Sequence, residues 1–429
     1  MMDATYPAHE SYKPSGYKWV GDTPSHWTVE KLGTSLRAVS EKNRPDLPLL
    51  SITREKGVIE RDLDDEESNH NFIPDDLSGY KVLRAGQFGM NKMKAWQGSY
   101  GVSQHTGIVS PAYFIFDFTK EIDPNFFNRA IRSKLYVSFF GAASDGVRIG
   151  QWDLNKARMR EIPLLVPPLP EQRAIAAFLD DKCAKIDGAV KIKEDQIALL
   201  RERRQIIIQD AVTSGLNPVA PMKDSAIDWI GQIPAHWEVR RSKFVFTQRK
   251  ELARKDDIQL SATQSYGVIP QEEYEELVGR RVVKIQTNLE KRKHVELDDF
   301  VISMRSFQGG LERAWAAGCI RSSYIILRPL EEICPTFFGY LFKSPRYIKA
   351  LQTTASFIRD GQDLNFENFA MVDLFLPPIS EQREIAKEIK RGCEKIDNGI
   401  AIKDRQIEAL KEYKTSLINA AVTGKIKVV

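Results

Sequence analysis

Two long stretches of the chain place apolar side chains at heptad spacing with no internal proline. The first runs through Leu179, Cys183, Ile186, Val190, Ile197, Leu200, Ile207 and Ala211, and the second through Ile389, Cys393, Ile396, Ile400, Ile407, Leu410, Leu417 and Ala421. Sustained a/d spacing predicts coiled-coil helices. Each stretch follows a proline strip (Pro163, Pro167, Pro168 and Pro170, then Pro377 and Pro378), and proline is tolerated at a helix entrance but not inside. Gly215 and Pro218 stop the first helix. A helix over Glu171–Ala211 would be roughly 60 Å long at about 1.5 Å per residue. The seam carries basic residues at matching places, Lys193 with Lys403 and Arg204 with Lys414. Their stems are expected to cover the seam while their charges reach water, the alternative being that they fix register or meet a partner. Outside the heptads, apolar runs such as Tyr113–Phe118 and Tyr324–Leu327 predict strands. Asn125–Phe140 and Pro335–Gln352 predict helices.

The two helical stretches are copies of one another. Aligning residues 167–216 with 377–426 needs no gap and gives 21 identities in 50 positions, at an offset of 210. The same offset relates Trp19-Val-Gly-Asp-Thr-Pro-Ser-His-Trp27 to Trp229-Ile-Gly-Gln-Ile-Pro-Ala-His-Trp237. It also relates Leu50-Ser51 and Gly57-Val58-Ile59 to Leu260-Ser261 and Gly267-Val268-Ile269. Gly107–Tyr113 answers to Gly318–Tyr324 at an offset of 211. Between these anchors the halves diverge. A duplication with one part held and the other altered suggests a common frame presenting two different specificities. The tryptophans of the repeated motif are expected to pack around a Gly/Pro turn, and His26 and His236 to satisfy a local hydrogen bond. Glu171-Gln172-Arg173 and its copy Glu381-Gln382-Arg383 read as helix-start residues, the alternative being a partner contact.

The expected architecture is α+β. Two mixed α/β heads, residues 1–165 and 221–376, alternate with spacer helices in 166–220 and 377–429. The two long helices are expected to pair antiparallel with pseudo-twofold symmetry, one head at each end.

Composition narrows the function mainly by exclusion. The chain has 429 residues, 42% hydrophobic and 28% charged, with a net charge of +4. Residues 1–165 hold as many acidic as basic residues, so charge alone does not point to nucleic acid. No apolar run is long enough to span a bilayer, and the polar start carries no leader-like core, so a cytoplasmic protein without membrane association is expected. Cys183, Cys319, Cys334 and Cys393 are too scattered for a metal knuckle or redox pair and read as packed, reduced thiols. No His pair stands at i, i+4 beside a carboxylate, so no metal site is expected. Gly141–Gly146 has phosphate-loop spacing, but Val147 and Arg148 stand where Lys and Ser/Thr are needed. No nucleotide fingerprint and no Asn-Pro-Pro-aromatic or Asp-Pro-Pro-aromatic run is present, and no catalytic residues are expected. The acidic cluster at Asp62–Glu67 reads as solvated surface.

The Trp-x-Gly-x-x-Pro-x-His-Trp and Pro-Pro-x-x-Glu-Gln-Arg motifs occur twice and in order, each pair flanking a variable head. With the Ile-Asp…Gln-Ile…Leu stretch and the Ala-Val-Thr helix end, they resemble the specificity subunit of type I restriction–modification systems over the whole chain. The resemblance implies a non-catalytic subunit whose heads each read one half of a split site on double-stranded DNA. It implies helices that space the heads and dock two methyltransferase subunits, with two restriction/motor subunits joining. S-adenosylmethionine, ATP and Mg²⁺ would then belong to those partners, with no cofactor in this chain.

Base reading needs bidentate donors and amides, held in register by phosphate contacts. In the first head the richest stretch holds Lys92, Lys94, Trp96, Gln97, Ser99 and Tyr100, followed by Gln104 and His105. Its counterpart holds Arg305, Ser306, Gln308 and Arg313, followed by Arg321 and Ser322. Secondary candidates are Arg54 and Lys56, matched near Gln264, Ser265 and Tyr266, together with Arg148, Arg359 and Gln362. The bland alternative for each loop is ordinary solvated polarity. The rival function is a protein scaffold with a coiled-coil spacer whose heads bind proteins, and salt dependence would separate the two.

Overall fold

The computed structural model describes residues 6–62, 74, 76–146, 152–282, 289–354 and 364–428. Arg148, Arg359 and Gln362 lie outside these residues. The chain divides into two compact units. Unit 1 is Met1–Lys193 with Asp404–Val429, and unit 2 is Glu194–Lys403.

In unit 1, β1 (Leu36–Val39), β2 (Leu50–Thr53), β3 (Gly57–Glu60), β4 (Phe88–Met90), β5 (Tyr100–Val102) and β6 (Phe114–Phe118) precede two short helices, α1 (Pro124–Ile131) and α2 (Lys134–Ala142). The long helix α3 (Leu169–Ser214) follows, and its first half belongs to this unit. The main sheet has the order β1-β6-β4-β5, all antiparallel, with Phe116 opposite both Ala38 and Phe88. β2 and β3 form a separate hairpin in which Thr53 faces Gly57. A ladder between Thr28–Lys31 and Pro163–Val166 ties the start of the unit to the strand that feeds α3.

Unit 2 repeats this plan. β7 (Phe246–Arg249), β8 (Leu260–Thr263), β9 (Gly267–Pro270), β10 (Phe300–Ile302), β11 (Glu312–Arg313) and β12 (Ile325–Pro329) precede α4 (Pro335–Phe342) and α5 (Pro345–Thr353), and the long helix α6 (Ile379–Val422) follows. The sheet order is β7-β12-β10-β11, and β8 and β9 form the separate hairpin. The repeat at an offset of 211 is structural too. Gly107 and Gly318 pass so close to the Pro48 and Ile258 carbonyls that a Cβ at either place would collide with them.

The predicted helices 125–140 and 335–352 are each broken in two. In unit 2, Pro345 removes a donor and forces Ser344 into an extended conformation. In unit 1, Ser133 is extended at the same point without a proline. The residue at each break, Arg132 or Lys343, caps the end of the first short helix.

The long helices begin and end within three residues of the predicted limits. Within unit 1 the first half of α3 lies antiparallel to the last part of α6. Leu179 and Ile186 share a core with Leu417, Ala421 and Val422, and with Phe88, Phe126, Phe127 and Phe140 of the head. Within unit 2, Ala211 and Val212 share a core with Ile385, Ile389 and Cys393, and with Phe246, Phe338, Phe342 and Phe369. Heptad positions and head aromatics thus bury one another, at about 1.5–3 kcal/mol for each large side chain. Two of the four basic seam residues do more than snorkel. Lys414 Nζ lies 2.7 Å from Asp187 in unit 1, and Arg204 Nε lies 3.4 Å from Asp397 in unit 2. The two pairs are exchanged by the 210-residue offset, so they mark one register twice, although each is part-exposed and contributes less than about 1 kcal/mol.

The four cysteines are buried and free. Trp27 and Trp237 are fully buried, as expected. Trp19 is not: 82% of it is exposed. Its copy Trp229 leans on Tyr347 and Phe375, whereas the residue matching Phe375 in unit 1 is Leu165, too small to offer the same ring face. Among the described residues, no helix is long and apolar enough to cross a membrane.

Candidate nucleic-acid interface

The two repeated motifs lock onto each other in each unit. Glu171, in the first turn of α3, accepts a hydrogen bond from Trp27 Nε1 at 3.0 Å and lies 2.8 Å from His26 Nε2. Glu381 holds Trp237 Nε1 at 3.1 Å and His236 Nε2 at 2.7 Å. The histidine bonds are therefore not local but span 145 residues. The neighbouring glutamines are buried. Gln172 donates to the Pro167 carbonyl and accepts from the Asp123 amide at the start of α1. Gln382 does the same with Pro377 and Cys334 at the start of α4. One carboxylate and one amide at each helix start thus fix the head to its long helix. Arg173 and Arg383 stay exposed.

On this frame each unit presents its separate hairpin. In unit 1 the turn of β2–β3 carries Arg54, Glu55 and Lys56, all exposed. Arg132 supports it from below: Nη2 donates to the Arg54 and Glu55 carbonyls and Nη1 to the Tyr100 carbonyl. In unit 2 the turn of β8–β9 carries Gln264, Ser265 and Tyr266, and Lys343 Nζ donates to the Gln264 carbonyl at 3.4 Å and pairs with Glu312. Arg132 and Lys343 occupy the same place after α1 and α4, so each hairpin is held by a cation under the carbonyl of its first turn residue. Burial lowers the Arg132 guanidinium below its usual range. It pushes the Glu312 carboxyl up against the opposing pull of Lys343.

A second loop stands beside each hairpin. In unit 1, Asn91 caps a short helical turn over Lys92–Gln97, and Gly98 closes it at φ 92°, a backbone region that favours glycine. In unit 2, the turn Ser306–Gly309 closes on Gly310 at φ 76°. The third loop runs through Arg321 and Ser322, and Lys293 Nζ ties it down by donating to the Tyr324 carbonyl at 2.6 Å. Lys81 does the same for Tyr113 at 2.7 Å. Burial depresses both amines, and at Lys81 the nearby Lys42, Lys156 and Lys92 add to it.

In unit 2 these loops enclose a concavity of about 830 Å³ that brings together Gln264, Tyr266, Arg305 and Arg321, which the sequence offered on three separate loops. Arg292 and Tyr274 also line it, and among the described residues no carboxylate does. Amides, guanidinium groups and tyrosine rings facing an acid-free hollow suit a polyanion with readable base edges. In unit 1 a smaller concavity of about 350 Å³ joins Arg54 and Gln97 to Arg132 and Lys134; among the described residues no carboxylate lines it, although Glu55 beside it pairs with Arg54 at 2.7 Å.

Other candidates fall elsewhere. Tyr100, Ser99 and Ser306 are buried and have no surface to offer: Tyr100 packs against Phe88 and Phe140, and the Ser306 hydroxyl accepts from the Ser303 amide. Arg313 is committed to Asp298 and Thr336 and covers the Trp315 ring at 4.3 Å. Lys92 pairs with Asp153, and Trp96 lies against Trp152. His105 pairs with Glu60, at the open end of the β2–β3 hairpin opposite Arg54 and Lys56, and Gln104 beside it is exposed. Lys94, Gln308 and Ser322 are exposed.

Sequence reasoning missed Arg132, Lys134, Lys293, Arg292 and Lys343, and also the half-exposed Trp315. Trp315 sits next to the β8–β9 turn, its amide bonded to Val268. An isolated Trp among small residues, Arg-Ala-Trp-Ala-Ala-Gly, was the available signal for it.

No family model matches the chain. It is similar over nearly its whole length to a Methanocaldococcus jannaschii protein assigned as the type I restriction enzyme MjaX specificity subunit. That match is 22% identical over 450 aligned residues and covers 97% of this chain and 98% of the other. The type I restriction enzyme MjaVIII specificity subunit of the same organism is 26% identical over 327 residues, 69% of each chain. Among solved structures, one from work on complex assembly and conformational transition of the type I R-M system matches with a TM-score of 0.67 at 14% identity, over 93% of this chain and 98% of that one. The HsdS subunit of Thermoanaerobacter tengcongensis matches with a TM-score of 0.54 at 16% identity, over 94% and 98%. These structures share the fold.

Proposed function

We infer that this chain, whose whole length is similar to type I restriction enzyme specificity subunits, is the DNA-reading subunit of such a system. Each unit reads one half of a gapped duplex target. The observation that carries this reading is the duplicated frame itself: the same sheet order, the same hairpin held by a basic side chain, and the same Glu/Gln lock, with different side chains at the loops. Unit 1 offers Arg54, Lys56 and Gln97, and unit 2 offers Gln264, Tyr266, Arg305 and Arg321. Unlike loops on like frames select unlike half-sites, so the target is asymmetric. Arginine and glutamine side chains can each make paired hydrogen bonds to a purine edge in the major groove, and lysines hold phosphates.

The chemistry belongs to partners: methyltransferase subunits that carry S-adenosylmethionine, and restriction/motor subunits that use ATP and Mg²⁺. Two of each is the stoichiometry a duplicated chain favours, since whatever docks on one copy of a repeated surface can dock on the other. The exposed outer faces of α3 and α6, with Ile192, Leu199, Ile206 and Ile402 among the exposed apolar side chains, are available to them.

The test is a binding titration of the assembled methyltransferase complex on duplexes carrying the methylated motif mapped from the host genome. Affinity that falls steeply with salt and drops when either half of the motif is scrambled supports the reading. Equal affinity for motif and scrambled duplex rejects it.

A further inference from the structure

Among the described residues, unit 1 has a cluster of possible metal ligands that unit 2 does not copy. His9 precedes the first short strand of the chain, Tyr12–Pro14, and its side chain is 5% exposed. Its Nε2 points toward Glu171 and His26, lies 3.9 Å from Glu171 Oε1, and makes no hydrogen bond. His26 Nε2 is 2.8 Å from Glu171 Oε2. The ligand atoms of the three residues all lie within 4.8 Å of one another.

We propose that His9, His26 and Glu171 form a zinc site that pins the beginning and end of the chain to the start of α3. Two imidazole nitrogens and one carboxylate are a donor set that suits zinc, with the fourth position left to water. Atoms around a tetrahedral zinc ion stand about 3.3 Å apart, given bonds of about 2.0–2.1 Å. The cluster must therefore tighten by about 1.5 Å at its widest and open slightly at the His26–Glu171 bond, within the reach of side-chain rotation. The outer contact on the carboxylate is one a metal site uses: Trp27 Nε1 donates to Glu171 and orients it. Because Lys427 N donates to the Pro7 carbonyl, a metal there braces both terminal segments at once.

Unit 2 is the internal control. His236 and Glu381 keep the pair, but the residue that matches His9 at the 210 offset is Val219, 83% exposed.

The test uses the full chain, stripped with a chelator and titrated with Zn²⁺ against a chromophoric competitor, with bound zinc counted after desalting. One zinc per chain is expected, with affinity lowered at least tenfold by His9→Ala, by His9→Gln and by His26→Ala, and unchanged by His236→Ala. Far-ultraviolet circular dichroism verifies that each variant is folded. Zinc affinity unchanged in folded His9→Ala and His9→Gln, or lost in His236→Ala, overturns the site, as does a wild-type chain that binds no zinc.

Discussion

Replacing Glu381 with alanine removes the acceptor for a fully buried indole. Trp237 is 0% exposed, its ring is stacked on Phe375 at 5.4 Å, and its one polar atom donates to Glu381 at 3.1 Å. A buried donor left without a partner costs about 1–3 kcal/mol, and the His236 bond, at an exposed ring, adds little. A loss of about 2 kcal/mol in the local stability of unit 2 follows, or about thirtyfold in an opening equilibrium. Two units need not unfold together, so a single midpoint is the wrong observable. Hydrogen exchange followed by mass spectrometry resolves the segments. Amides of 232–241 and 373–390 should exchange about thirtyfold faster, while those of 22–31 and 163–180 in unit 1 should not change. Glu381→Gln, which keeps an acceptor oxygen, should lose less. Trp237→Phe placed on top of Glu381→Ala should cost less than the two changes summed, because the orphaned N–H is gone. Equal protection in wild type and Glu381→Ala would refute the lock.

Three further outcomes follow from buried charges and the loops. Lys343→Met leaves Glu312, 2% exposed, without its cation, and should cost about 3–5 kcal/mol at neutral pH. Burial has already raised the Glu312 pKa, so the carboxylate form destabilises the fold as pH climbs past the usual carboxylate range. The Lys343→Met deficit should therefore shrink in acid, as a denaturation series over pH would show. His294 is buried between Asp257 and Glu296. Burial alone would lower its pKa, but the two carboxylates outweigh it and raise it. Its contribution is full below about pH 6.5 and fades as pH rises through the raised folded value, so thermal stability should fall over that window in wild type and stay flatter in His294→Gln. Arg321→Ala and Arg305→Ala should each weaken duplex binding by the complex by about 1–3 kcal/mol. A base-reading arginine relaxes one position of the target, while a phosphate-holding one lowers the salt slope by about one.

The long helices were readable because heptads and proline strips report directly on period and boundary, and the duplication was visible as an offset. What the sequence concealed is long-range. His26 and Glu171 are 145 positions apart, so their bond could only be guessed to be local. The metal-type cluster joins residues 9, 26 and 171, which no spacing rule connects. Arg204 and Lys414 looked like snorkelling side chains until their partners on the opposed helix appeared. The break between α4 and α5 was written at Pro345, yet that between α1 and α2 carries no such mark. Polarity marked loops that stand together in each unit, but not which of their residues face out. Tyr100 and Ser306 point into cores, and Arg313 is held by Asp298, whereas Gln264, Tyr266, Arg305 and Arg321 do meet in one hollow.

The central claim is that each unit selects one half of the target independently. Mapping methylated adenines in cells whose specificity subunit has residues 221–376 exchanged for those of another such subunit tests this directly. The account predicts that one half of the methylated motif changes and the other is retained. A motif altered in both halves, or in neither, would contradict it.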